Sequence, residues 1–320
     1  MTARQAAKLT LGPVLFHWPA ERMQDFYARI ADEATIDIVY LGEIVCSKRA
    51  PFFDPLLPEL IERLQRGGKQ VVLSSRALVM TAREARMTAA QVAGAGEAGF
   101  MVEANDLGAV RHLAGQPHVI GPYVNVYNEG TLDYLARHGA VRVCLPPELP
   151  GETIRMLARH AAAMAAPVPL EVLAFGRMPL AISARCFHAR AEGLHKDSCR
   201  YACGADADGR TVRTLDGEAF LAINGTQTLS QTCLNLAGEL PGLTAAGLRH
   251  FRLSPQAVDM VAVSRLFRDV LDGRSEAAAA GAALAALAGG LRFSNGFLHG
   301  REGRALLRAS AIEPEPHATA

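Results

Sequence analysis

Short apolar runs alternate along this chain with stretches whose apolar residues recur every three or four positions. The first run covers 9–16. The spacing of Met23, Phe26, Tyr27, Ile30 and Ala34 after it marks one face of a helix. The pair then repeats. Residues 36–41 (IDIVYL) predict a second strand. Leu57, Leu60, Ile61 and Leu64 predict a helix that opens at Asp54-Pro55 and stops at Gly67-Gly68. A third strand is predicted at 70–74, and Thr81 to Glu84 has the capping-box pattern of a helix start. Strands four to seven are predicted at 100–103, 118–126, 141–145 and 169–174. Asp106 opens a short helix, Asn128 caps one running to His138, and another ends near Ala165. Residues 248–253 (LRHFRL) predict an eighth strand. Ser254-Pro255 then opens a helix carrying Val263, Leu266, Phe267 and Val270, and an Ala-rich helix follows over 274–288.

Eight strand–helix units predict a (β/α)8 TIM-like barrel, whose strands are buried on both sides and so read as continuous apolar runs. A doubly wound open sheet is the alternative, but no G-x-G-x-x-G follows the first strand. The expected organisation is one barrel domain over 1–310 and a flexible tail over 311–320. The rhythm breaks once, at 176–246. That stretch of about seventy residues far exceeds the 2–6 residues of an ordinary βα connection. It holds Cys186, Cys199, Cys203 and Cys233, and its middle, 211–223, predicts a hairpin turning at Asp216-Gly217.

Composition narrows the function classes. A chain that is 50% hydrophobic is not a disordered one, and a net charge of +1 argues against a broad basic surface for nucleic acid. The N-terminus has no signal-peptide pattern. The apolar run at 277–291 is Ala- and Gly-rich and shorter than the roughly 20 residues a membrane span needs. The expectation is a cytoplasmic protein without a transmembrane segment. In a reducing compartment its six cysteines are core residues, metal ligands or catalytic thiols rather than disulfides.

Cys186-x12-Cys199-x3-Cys203 is the strongest local signal, set among Arg185, His188, Arg190, Glu192, His195, Lys196, Asp197 and Arg200. Thiolates suit iron–sulfur clusters, zinc and copper(I). A cubane cluster needs a fourth thiolate. In a barrel, Cys46 follows the second strand at the C-terminal face, from which the long insertion also starts. Cys144 lies within an apolar strand and Cys233 among leucines, so both read as core. Cys46 is therefore taken as the fourth ligand. Zinc with His188 or His195 completing a Cys3His set stays open.

These residues resemble the collagenase-like peptidase family, in particular its members in oxygen-independent ubiquinone biosynthesis. The resemblance runs through KLTLGPVLFHWP, IDIVYLGEIVCSKR, Glu171 to Gly176 with the cysteine-bearing PLAISARCFHARAEGLHKDSCRYAC, and RFSNGFLHGREG. It implies a [4Fe–4S] cluster on Cys46, Cys186, Cys199 and Cys203. It also implies a heterodimer with a second family member, UbiU. The implied task is hydroxylation of an aromatic ubiquinone precursor without dioxygen, with prephenate as hydroxyl donor and a lipid-carrier accessory protein as a further partner. The alternatives are a zinc-stabilised scaffold subunit and a hydrolase of the peptidase type, although no nucleophile–base pairing is evident.

Glu43, Arg76, Glu103, Asn125 and Glu171 lie just after or at the ends of predicted strands, where barrel enzymes place substrate-binding and proton-transfer groups. A buried Glu171 needs a partner, and an arginine supporting the cysteine loop is one candidate. Arg177, Arg185 and Arg190 could steady an anionic cluster or a dianionic donor, with solvent-exposed arginine as the default reading. Val168, Leu170, Phe175, Met178, Leu180 and Ile182 could line an apolar groove for an isoprenoid tail, and are more simply core or partner interface.

Overall fold

Uninterrupted aliphatic runs such as Ile38–Leu41 and Gln70–Ser74 become strands covered on both faces. The computed structural model describes residues 6–307. In chain order the strands are β1 (Lys8–Leu11), β2 (Ile38–Leu41), β3 (Gln70–Ser74), β4 (Met101–Ala104), β5 (His118–Ile120), β6 (Ala140–Cys144), β7 (Leu170–Ile182), β8 (Arg210–Arg213), β9 (Ala219–Asn224), β10 (Gln227–Asn235), β11 (His250–Leu253) and β12 (Phe293–Ser294). Strands β1 to β7 pair in sequence, all parallel. β11 pairs with both β7 and β1 and closes an eight-stranded barrel. A helix follows each barrel strand: Ala20–Glu33, Leu57–Arg66, Ala82–Glu97, Leu107–Leu113, Glu129–Arg137, Gly151–Ala163, Leu240–Ala245 and Met260–Leu271. The predicted TIM-like barrel is the observed fold.

Local signals act as expected at several helix starts. Thr81 and Glu84 form a complete capping box, and Asn128 accepts from the Thr131 N–H at 2.9 Å. One cap is displaced. Asp259, not Ser254, caps Met260–Leu271, accepting from Val261 and Ala262. The fifth strand ends at Ile120 instead of continuing to Val126, because Gly121-Pro122 turns the chain at the barrel rim. The tail at 311–320 lies outside the described residues.

The main apolar core lies between the barrel wall and its helices, and a smaller cluster of Ile38, Tyr40, Val72 and Val119 is separate from it. Charge is buried as well. Glu171 accepts both Nε and Nη2 of Arg252, at 2.9 and 3.1 Å, and the Tyr40 hydroxyl at 2.7 Å. Arg252 also pairs with Glu103 at 2.6 Å, and its guanidinium stacks on the Tyr40 ring. Arg142 donates to the Tyr40 hydroxyl, and Thr10 donates to Glu171. Six strands thus contribute to one buried network, where aliphatic layers are the usual filling. Burial pushes the Glu171 carboxyl up, but Arg252 and Arg142 outweigh it and hold it at about 2.

β7 explains the long insertion. Its first half belongs to the barrel, and its second half runs on beyond the rim. Gly176 marks the change, with φ +112° and its Cα so close to Ser254 that a Cβ would lie 2.7 Å from the Ser254 carbonyl oxygen. Beyond it β7 pairs antiparallel with β10, which pairs with β9, and β9 with β8. The predicted hairpin is present as β8 and β9, turning at Gly217. The seventh strand thus extends to Ile182, beyond the expected end at 174, and β10 is a separate strand that the sequence pattern does not mark.

Candidate functional site

Four of the six cysteines come together. Cys46, Cys186, Cys199 and Cys203 line one small cavity with Lys48, Arg49, Tyr201 and Gly225. Cys46 lies in the loop after β2. The other three lie in the segment between β7 and β8, so the insertion does reach across the rim. Cys144 and Cys233 are fully buried elsewhere, at the end of β6 and within β10.

Hydrogen bonds fix the meeting point. Lys48 Nζ donates to the carbonyls of Lys196 and Asp197, 2.9 and 2.7 Å away, just before Cys199. Thr226 in the β9–β10 turn donates to the Val45 carbonyl at 2.9 Å. Glu43 accepts from the backbone N–H groups of Val45 and Cys46, each at 2.9 Å, and so shapes the Cys46 loop. Between Cys199 and Cys203 the chain reverses through two left-handed non-glycine residues, Arg200 (φ 48°) and Tyr201 (φ 54°). Such residues cost of order 1–3 kcal/mol each. Their conformation lets two thiols with three residues between them line one cavity. Tyr201 packs edge-on against Phe52, with ring centroids 4.8 Å apart.

The electrostatics centre on Arg49. Its side chain is 1% exposed. It donates to the Leu15 carbonyl and to Asn224 Oδ1, both at 2.9 Å. Burial pushes the Cys46, Cys186 and Cys203 thiols up, and the positive charge of Arg49 draws each of them back. Cys186 also caps the short helix Phe187–Ala191, its Sγ accepting from the Ala189 N–H.

The structure corrects several sequence expectations. Arg177, Arg185 and Arg190 do not line the cysteine cavity. Arg177 is held by Asp208 and by the Ser230 and Gln231 carbonyls, while Arg185 and Arg190 are exposed. The arginine of this site, Arg49, lay unremarked in the Cys46-Ser47-Lys48-Arg49 run beside the first ligand candidate. His188 and His195 do not line the cavity either. His188 Nε2 bonds Asp206 at 2.7 Å, and His195 is exposed. Glu171 takes its arginine partners from β11 and β6 rather than from the cysteine loop.

A second, apolar cavity opens at the C-terminal mouth of the barrel. It is lined by Pro13, Leu15, Ile44, Tyr123, Leu173 and Pro179, with Cys144 and Arg252 among its other walls. Of the residues expected to line an apolar groove, Val168, Leu170, Phe175 and Met178 are core, Leu180 is exposed and Ile182 is half-buried. The two cavities are neighbours. The Leu15 carbonyl at the mouth accepts from Arg49 at the cysteines, and Ile44 at the mouth is two residues from Cys46.

The proposed acid, base and binding residues sort by environment. Glu103 and Glu171 share Arg252 in the buried network, and Ser74 and Asn105 also donate to Glu103. Asn125 is exposed and lines neither cavity. Arg76 differs from all of these. It is 7% exposed, and its Nε and Nη1 have no hydrogen-bond partner among the described residues. It lines neither cavity, and its positive charge draws down the Glu43 and Asp54 carboxyls, which burial pushes up. It should also weaken the resting fold. Arg76→Met is expected to raise the denaturant midpoint, by on the order of 1 kcal/mol in unfolding free energy. A fall in that midpoint would show that the charge is already compensated.

A profile of peptidase family U32 matches residues 20–307, and the chain belongs to that family. Among solved structures it is similar to dihydrodipicolinate synthase from Aquifex aeolicus at 12% identity, over 88% of this chain and 81% of that one, with a TM-score of 0.46. An uncharacterized B. cereus protein shares 12% identity over 79% of this chain and 62% of that one, with a TM-score of 0.42. With such scores these likenesses add nothing to what the strand order establishes.

Proposed function

We propose that this chain is the iron–sulfur subunit of an oxygen-independent hydroxylase acting on aromatic ubiquinone precursors, the role of the UbiV members of the family. The observation that carries the reading is the meeting of Cys46 with Cys186, Cys199 and Cys203 around one cavity beside the apolar barrel mouth. The donor set fits a [4Fe–4S] cluster. Four thiols are the number such a cluster takes.

A bound cluster would supply one-electron chemistry next to the mouth cavity. The chain's own residues do the rest. The mouth offers apolar walls to an aromatic ring. Prephenate is the donor the resemblance implies. Partnership with UbiU and a cytoplasmic location belong to the same reading. Among the described residues no helix is long and apolar enough to cross a membrane.

The test is anaerobic purification alone and with UbiU, followed by metal analysis and a hydroxylation assay on an aromatic quinone precursor. About four iron per chain and oxygen incorporation without dioxygen are expected. Stoichiometric zinc in a colourless protein would overturn the reading.

A further inference from the structure

Arg49 heads the largest side chains that are almost wholly buried, and it is a charge. An isolated charge in such a place is unfavourable unless it is paired. No carboxylate forms an ion pair with it among the described residues; Glu43, its acidic neighbour, spends Oε1 on two backbone N–H groups. Nη1 and Nη2 go to Leu15 and Asn224, which are neutral. Nε is buried without a partner. Glu43 acts on it most strongly, and after Glu43 the counter-charges it faces are the thiols of the cavity it lines, Cys203 and Cys46.

The same side chain joins three separated segments. It starts in the turn after Cys46, reaches the loop after β1 at Leu15, and reaches the end of β9 at Asn224. Asn224 in turn donates to the Leu15 carbonyl at 2.6 Å. Gly225 makes room for the guanidinium: its φ is +63°, and a Cβ there would lie 2.7 Å from Arg49 Nη2. The chain keeps a glycine, which takes this left-handed conformation without strain, next to a buried cation.

We infer that Arg49 is the positioning residue of the four-cysteine site, locking Cys46 against the β7–β10 excursion and balancing the negative charge of the thiolates and the group they hold. This rests on the iron–sulfur reading above. Two consequences follow from charge and geometry. A fixed positive charge favours the more negative, reduced form of a nearby redox group, so its removal makes reduction harder. Lysine keeps the charge but cannot reach Leu15 and Asn224 with a planar fork.

The experiment compares wild type, Arg49→Met, Arg49→Lys and Gly225→Ala, all purified anaerobically. Iron and sulfide per chain, the reduction potential of the bound group and far-UV circular dichroism are measured on each. Arg49→Met is expected to lose most of its iron and to shift the potential of the remainder to more negative values. Arg49→Lys should hold more iron than Arg49→Met, with a potential closer to wild type. Gly225→Ala, which keeps the charge and moves it, should lose at least half of the iron. If Arg49→Met does not fold, the other two variants decide. Full iron and an unchanged potential in both overturn the proposal. Iron in the wild type with no change in any variant overturns this proposal alone. A wild type without iron overturns the reading of the site and this proposal with it.

Discussion

Replacing any one of Cys46, Cys186, Cys199 or Cys203 by alanine is expected to strip most of the iron from the anaerobically purified protein. Cys144→Ala and Cys233→Ala should leave it in place. The four cysteines share one cavity, and the other two are buried at separate places. Loss of one thiolate leaves one iron of a four-iron group without a protein ligand. No other thiol lines the cavity to replace it; Lys48, Arg49 and Lys196 are cations, and His188 and His195 do not line it. Burial raises the Cys144 thiol far above its ordinary range, and Cys233 is pushed up to about 12. Neither is a thiolate near neutral pH. The check is iron and acid-labile sulfide per chain, with the visible spectrum. Full iron in Cys46→Ala would break the link between the second βα loop and the excursion.

The second large effect lies in the buried network. Arg252→Ala or Glu171→Ala is expected to lower the unfolding free energy by about 3–5 kcal/mol, because each leaves the opposite charge buried with fewer partners. Arg252→Ala strands two carboxylates, Glu171 and Glu103, and is the more severe. The pH dependence has a defined sign. Glu171 is held at about 2 in the folded chain, below the ordinary carboxylate value. Its contribution is therefore complete above about pH 4.5 and is lost as the pH falls towards 2. Glu171→Gln should flatten that acid limb while weakening the fold at neutral pH. Denaturant titrations from neutral to acid pH read both effects. An unchanged acid limb in Glu171→Gln would place the titrating carboxylates elsewhere.

Much of the barrel was legible because each wall strand is buried on both faces and shows as an apolar run with turn signals around it. Gln70–Ser74 matches its prediction to the residue, and the Thr81–Glu84 box starts the helix it announces. β7 was cut short because Gly176 looks like a stop, whereas here it lets one strand leave the barrel and continue. The cysteine grouping was readable from residue type and from the common face of β2 and β7. Arg49 was not readable. Nothing local in Ser47-Lys48-Arg49 tells a solvated arginine from one buried at 1% exposure, because its partners Leu15 and Asn224 are distant in sequence. The Glu171–Arg252 pairing, 81 residues apart, was hidden for the same reason. The need of Glu171 for an arginine was legible, but which arginine was not.

The central claim is that four cysteines from two loops hold one iron–sulfur cluster. It is tested most directly by iron and acid-labile sulfide analysis of the wild-type chain purified without oxygen. The account predicts about four of each per chain. One zinc per chain with no sulfide, or no metal in a folded protein, would contradict it.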